Sequence, residues 1–309
     1  MRLRMVVGLV LVALSVARSS AAQTTGVLLL AHGGQPAWND RVTDLAAKVD
    51  KNKPTEVAFG MATRANIQAA VDRLVARGVS EIVAVPLFVS SWSSVIASTE
   101  YLLGQRADAP PALAHFAKMS HGSGSTHSSH AGHGAQAAED GTRPVKSSVP
   151  LRMTPALNDH PLVAEILVSR ARSIGTTPAS EALVLVAHGP NEEEDNRKWL
   201  ADMESLSRRI ATIEKFASVD YLTVRDDAPK PVWEKAKAEL RGVVQKRTAE
   251  GRRVLVVPLL ISFGGIEKGL RERLDGLSYT MANAGLMPDD RLVAWVLAMA
   301  EGRRVSAGF

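Results

Sequence analysis

The sequence predicts an α/β protein made of two duplicated units, each built on a parallel sheet. Three observations carry that prediction. The apolar run Gly26–Leu30 ends in Ala31-His32-Gly33-Gly34, and a second run, Ala182–Val186, ends in Ala187-His188-Gly189-Pro190. Neither run alternates with polar residues, which is the pattern of a strand covered on both faces. A Val-Pro-Leu string closes a later apolar run in each half, at Val85-Pro86-Leu87 and Val257-Pro258-Leu259. Between these runs, strand-like and helix-like segments alternate, which requires crossover connections and a parallel sheet. Two such units are a duplication rather than a solenoid, which needs three or more short repeats.

The elements follow in order. After the first run, Pro36–Lys51 reads as a helix with Pro36 in its first turn. Residues 56–61 form a short strand, Ala65–Ala76 a helix closed by Gly78, and Glu81–Val89 a third buried strand. The polar loop Ser90-Ser91-Trp92-Ser93-Ser94 leads to a helix over Ile96–Leu103. Val149–Met153 is a strand, and His160–Ile174 a helix capped by Asn158 or Asp159, with His160 structural. Thr176–Ser180 is the linker. The second half repeats the order: strand 182–187, helix 192–210 with an acidic first turn suited to the positive helix end, and strand 217–224. Helix 231–249, strand 254–262, helix 267–274, a last strand 277–281 and a closing helix 290–300 complete it. The domains expected are 23–117, completed by the strand and helix of 149–175, and 181–309.

A chain of 309 residues is long enough for two cores. Its 46% hydrophobic and 22% charged residues are ordinary for a folded globular protein. Residues 1–22 read as a cleaved signal peptide: Arg2 and Arg4, a short apolar core from Met5 to Ala17, then Ser20-Ala21-Ala22. That reading places the mature protein in the periplasm or outside the cell, with no stable membrane anchor. The segment carries Arg2, Arg4 and Arg18 and no acid, so the net charge of +5 becomes 5 − 3 = +2 after cleavage. Such a small excess argues against a nucleic-acid partner. No cysteine is present, so neither disulfides nor thiolate metal ligands are available.

Residues 118–148 interrupt the alternation. Gly, Ser, Ala and His dominate, little can be buried, and a disordered insertion is expected. It holds His121, His127, His130 and His133, at no fixed ligand spacing. Capture of a borderline transition metal and a plain linker are both compatible with that composition.

The candidate chemistry rests on His32 and His188. Each stands at the carboxyl end of a buried strand, where open α/β sheets place their ligands. Small neighbours leave each ring uncovered. A serine hydrolase would need a Gly-x-Ser-x-Gly elbow, which is absent, and a phosphohistidine would want an adjacent Arg where Ala31 and Ala187 stand. A metal ligand needs only a neutral imidazole with open approach.

Three stretches resemble the CbiX/SirB sirohydrochlorin chelatases, class II chelatases like the ferrochelatases. They are Leu29-Leu30-Ala31-His32-Gly33, Val85-Pro86-Leu87-Phe88, and Pro155 to Leu162 before a helix. The resemblance implies two Rossmann-like (flavodoxin-like) chelatase domains facing a cleft. There a divalent metal (Co²⁺, Fe²⁺ or Ni²⁺) is inserted, as substrate, into sirohydrochlorin or a related tetrapyrrole, with no organic cofactor. It makes His32 and His188 metal ligands and catalytic groups, with Glu267 or a cleft carboxylate assisting. The chain departs from the family pattern in two places. Ser94 stands about where a second His is usual, with Ile266 and Glu267 at the matching place in the second half. Met61 and Thr223 stand where a Glu is usual, with Asp226 and Asp227 close behind. The alternative expectation is a non-catalytic metal- or tetrapyrrole-binding protein on the same fold.

Overall fold

A computed structural model describes residues 24–119 and 140–302. The expected signal peptide and the four histidines of the insertion lie outside the described residues. The first sheet holds β1 (Thr25–Ala31), β2 (Thr55–Phe59), β3 (Glu81–Pro86) and β4 (Leu151–Met153) in the order β2-β1-β3-β4. The second holds β5 (Glu181–Ala187), β6 (Ser218–Thr223), β7 (Arg253–Leu259) and β8 (Thr280–Met281) in the order β6-β5-β7-β8. All pairings are parallel, and the central strands correspond: Leu29 faces Val57 and Val85, and Leu185 faces Tyr221 and Val257. The duplication expected from the two Ala-His-Gly runs is therefore a duplication of topology.

The helices are α1 (Pro36–Asp50), α2 (Arg64–Ala76), α3 (Ser94–Leu102), α4 (Ala112–Met119) and α5 (Pro161–Arg172) in the first half. A single 3₁₀ turn, Pro178–Ser180, occupies the linker. The second half carries α6 (Glu193–Ile213), α7 (Lys230–Ala249), α8 (Ile266–Arg273) and α9 (Arg291–Ala300). The cap of α5 is His160, whose Nδ1 accepts from the Leu162 amide at 3.2 Å, rather than Asn158 or Asp159. Helix α4 is not legible in the sequence, because Ala112–Met119 runs directly into the His-rich stretch, whose composition masks its pattern.

Each sheet sorts its side chains with a period of two, as pleating requires. Leu28 and Leu30 pack with α2 in an outer core, while Val27, Leu29 and Ala31 face inward. Val184 and Val186 face outward in the second half, and Leu183, Leu185 and Ala187 inward. The two inward faces belong to one continuous core shared by both halves.

That shared core is built by an exchange of helices across the two expected domains. Strand β4 completes the first sheet as anticipated, but α5 packs against β7 and α6 of the second half. Helix α9 closes the chain against β1, β3 and α1 of the first. Arg170 on α5 donates to the carbonyls of Gly285, Leu286 and Pro288, at 2.8, 3.0 and 2.8 Å. Reciprocally, Arg152 beside β3 donates to Ala300 O at the end of α9, at 2.8 Å. Each half thus lends its last helix to the other.

The insertion expected at 118–148 is also narrower. Residues 118 and 119 end α4, and the strip after Asp140 lies on α2. Gln68 bonds Lys146 in both directions (2.7 and 2.8 Å), Arg64 reaches Arg143 O at 2.9 Å, and Val145 donates to Leu102 O. Hydrogen bonds from α2 and α3 hold this largely polar strip, with Val145 and Val149 half-buried against the outer core, so a reading from hydrophobicity passes over it.

Candidate functional site

A cavity of about 950 Å³ lies between the halves at the carboxyl ends of both sheets. Each wall includes the three loops that follow the first three strands of its sheet. His32 follows β1, Met61 follows β2, and Leu87 to Ser94 follow β3; His188, Asp226 with Asp227, and Leu260 to Ile266 follow β5, β6 and β7. The cavity size falls within the range of small-molecule sites. Both imidazoles expected at the strand ends therefore face one crevice.

The turn that presents each ring depends on the glycine after it. Gly33 has φ of +82° and Gly189 +75°, a left-handed conformation that L side chains rarely adopt. A Cβ on Gly189 would lie 2.5 Å from Thr223 Cβ, while one on Gly33 would meet nothing closer than Phe59 Cβ at 3.6 Å. The second turn is thus constrained by packing as well as by dihedral angle.

In both turns Nδ1 lies against the carbonyl of the following glycine, at 2.7 Å for His32 and 2.8 Å for His188. A carbonyl only accepts, so Nδ1 carries the proton in each ring, and a neutral His32 then keeps its lone pair on Nε2. The rings diverge there. His32 is exposed and its Nε2 has no partner among the described residues. His188 is half-buried, and its Nε2 lies 3.2 Å from Asp227 Oδ2. Asp226, the neighbouring carboxylate, is held by Arg273, which also donates to Val224 O at 2.6 Å and stacks under Trp233 at 4.2 Å.

Glu267 does not join this group. Its Oε2 accepts from the amides of Gly264 and Gly265 at 3.1 and 2.9 Å, capping the start of α8, and it does not line the cavity. An acid two residues after a glycine pair at a helix start is a backbone cap; Ile266 is the residue that reaches the cavity wall. Ser94 lines the cavity where the second imidazole was looked for, and Met61 where the carboxylate was. Thr223 is buried and donates to Asn196. One cavity-lining histidine was passed over: His115, exposed on α4. It stands three residues before the His-rich stretch, and only the recognition of α4 would have separated it from that stretch.

The halves are tied together beside the cavity along one face of α6. Trp199 Nε1 donates to Trp92 O at 2.6 Å, Ser205 to Asp159 at 2.6 Å, and Arg209 lies 3.3 Å from Asp159. Asp202 sits among them, 3.4 Å from the Ser90 hydroxyl. Burial, with the Asp159 charge beside it, pushes the Asp202 carboxyl up to about 6. Burial acts on Asp159 in the same direction, but the bonds from Ser205 and Arg209 overcome it and hold that carboxyl low. Burial, reinforced by Arg209, lowers His160.

Comparison with known proteins agrees with this architecture. The model of the CbiX family matches residues 26–174. SirB from Bacillus subtilis, solved with Fe³⁺, superposes with a TM-score of 0.57 at 12% identity, over 91% of this chain and 96% of that one. CbiX, the terminal enzyme for biosynthesis of siroheme in denitrifying bacteria, does so at 0.53 and 17%, over 91% and 100%. A multi-domain protein from Deinococcus radiodurans with structural similarity to chelatases gives 0.53 and 20% over 91% of this chain. The present chain spans 56% of that protein's length. At these identities the likeness is one of fold. No curated protein matches the sequence.

Proposed function

We propose, from the match of residues 26–174 to the model of the CbiX family, that the protein inserts a divalent metal into a tetrapyrrole held between its halves. The substrate class is sirohydrochlorin or a related macrocycle, and the metal is Co²⁺ or Fe²⁺. The observation that carries the reading is the pair of strand-end imidazoles, one from each half, on a single cavity of about 950 Å³. The basic, apolar, small-residue start of the sequence supports an exported protein.

The chemistry divides between the two rings. Metal insertion displaces two pyrrole N–H protons as the divalent ion enters, so the site must present a metal and receive protons. His32 offers an unpartnered Nε2 lone pair on an exposed ring, suited to handing over an incoming ion. His188 is suited to one of the two protons, which at its Nε2 is met by Asp227 Oδ2 while Nδ1–H stays on the Gly189 carbonyl, and the other passes to solvent. Among the described residues no three His, Asp or Glu side chains converge on one point. A single imidazole holds a divalent ion weakly, and the macrocycle nitrogens complete the coordination.

That open ligand set is also what favours the second reading, a binding protein that carries a metal or tetrapyrrole without joining them. Anaerobic single-turnover mixing of the full chain with sirohydrochlorin and Co²⁺, followed by absorption, separates the two. An absorption shift faster than the uncatalysed rate, lost in His32→Ala plus His188→Ala, is expected. A double variant that inserts metal as fast as the parent overturns the assignment.

A further inference from the structure

Four histidines lie among the described residues, and three of them line one cavity. The fourth, His160, caps α5. His32 and His188 come from the two strand-end turns, one per half. The third, His115, breaks that symmetry: it stands on α4 of the first half, and the second half has no helix between α8 and β8.

The residue pattern of α4 shows how that ring is held at the cavity. Leu113 and Phe116 are buried in the outer core of the first half and fasten the helix. Ala112, His115 and Phe116, spaced i, i+3 and i+4, form the stripe that lines the cavity, and His115 is its polar member. The ring stands edge-on to Phe116, with centroids 6.0 Å apart, and has no hydrogen-bond or charge partner among the described residues. His32 belongs to the same wall. Strand β2 pairs with β1 as far as Ala31 and Phe59, and Met61, just beyond, packs in the outer core that holds Phe116.

One imidazole competes poorly with water for a divalent ion, whereas a closed set of three or four protein ligands would keep it. Two imidazoles raise the affinity and leave positions open for the nitrogens of a macrocycle. His32 offers a free Nε2, but Nε2 of His188 is engaged by Asp227. The imidazole available to join His32 is that of His115. We propose that His115 is a second metal ligand of the cleft, sharing with His32 the divalent ion that is to be inserted. The assignment rests on the reading of the cleft as the place of metal delivery, and adds to it a ligand from outside the duplicated turns.

The chain has no cysteine, so a single introduced thiolate is a unique reporter. A thiolate bound to Co²⁺ gives an intense near-ultraviolet charge-transfer absorption, which imidazoles, including those of His121, His127, His130 and His133, do not. His115 is exposed, so its replacement leaves the packing of α4 intact. Co²⁺ alone is titrated anaerobically into the full chain carrying His115→Cys. The absorption band is expected, and adding His32→Ala is expected to raise the Co²⁺ concentration for half its intensity about tenfold. With sirohydrochlorin present, His115→Ala is expected to raise the Co²⁺ concentration for half-maximal insertion by a similar factor. Absence of the band, or a band whose midpoint His32→Ala leaves unchanged, overturns the assignment, and insertion by the parent then leaves the chelatase reading standing. A band coupled to His32 in a chain that inserts no metal supports the shared ligand and overturns the chelatase reading in favour of the binding protein.

Discussion

The two Ala-His-Gly turns share a backbone and differ in chemistry. Both place the ring at the end of a buried central strand, turn through a left-handed glycine, and lock Nδ1 on the next carbonyl. Beyond that atom they part: the exposed His32 ring has no partner at Nε2 among the described residues, while His188 faces a carboxylate 3.2 Å away. A duplication therefore conserved the device that aims an imidazole and left the group beside Nε2 free to change. Two copies of one turn can then serve two steps of one reaction.

The largest effects should come from the rings. His32→Ala is expected to lower the rate of metal insertion about a thousandfold and raise the metal concentration for half-maximal rate. His188→Ala should cost about a hundredfold, within the usual range for a proton-transfer group, and alter the pH profile rather than the metal dependence. Identical losses with identical metal and pH dependence would break the division of labour.

Next come the glycines, which test the same comparison on stability. Gly189→Ala adds a close contact with Thr223 to the left-handed strain and should destabilise by about 3 kcal/mol in denaturant unfolding. Gly33→Ala meets strain alone, so about 1 kcal/mol is expected. Equal losses would mean that the second turn is no more tightly packed than the first.

The exchanged helices offer a third contrast. Arg170→Ala leaves three carbonyls of the second half without their donor and should cost about 2 kcal/mol, against about 1 kcal/mol for Arg152→Ala, which strands one. A cost for Arg152 that matched or exceeded that of Arg170 would put the weight of the exchange on α9.

The smallest effect is a pH dependence between the halves. The folded-state pKa of Asp202 is raised from 3.8 to about 6, so the folded protein holds the extra proton between those values. Its favourable contribution is full below 3.8 and is lost as pH rises through about 6. Asp202→Asn mimics the protonated group and should stabilise the protein by about 1–2 kcal/mol at pH 7.5, allowing for partial exposure, and flatten stability across pH 4–7. An unchanged slope across that range would mean that Asp202 titrates as an ordinary carboxyl.

Much of this architecture was legible beforehand, because continuous apolar runs, glycine turns and helix starts are local signals. The strands, the duplication and both strand-end imidazoles follow from residues within about ten positions of one another. Glu267 shows the limit of that reading. Its type and place suited a ligand, yet the two amides beside it were nearer partners than the cavity. His115 shows the converse, a side chain brought to the site by a helix too close to a low-complexity stretch to be recognised.

What the sequence determined by itself is the identity of the units: two parallel sheets, each ending in a histidine turn, since every signal for them lies within one segment. What only the tertiary structure decided is how those units share their parts. The exchange of α5 and α9, the Asp227 carboxylate beside one ring and not the other, and the gathering of both imidazoles on one cavity are all relations between distant segments. The physical reason is that an amphipathic helix records in its residues that it must be covered, and not which of two similar sheets will cover it.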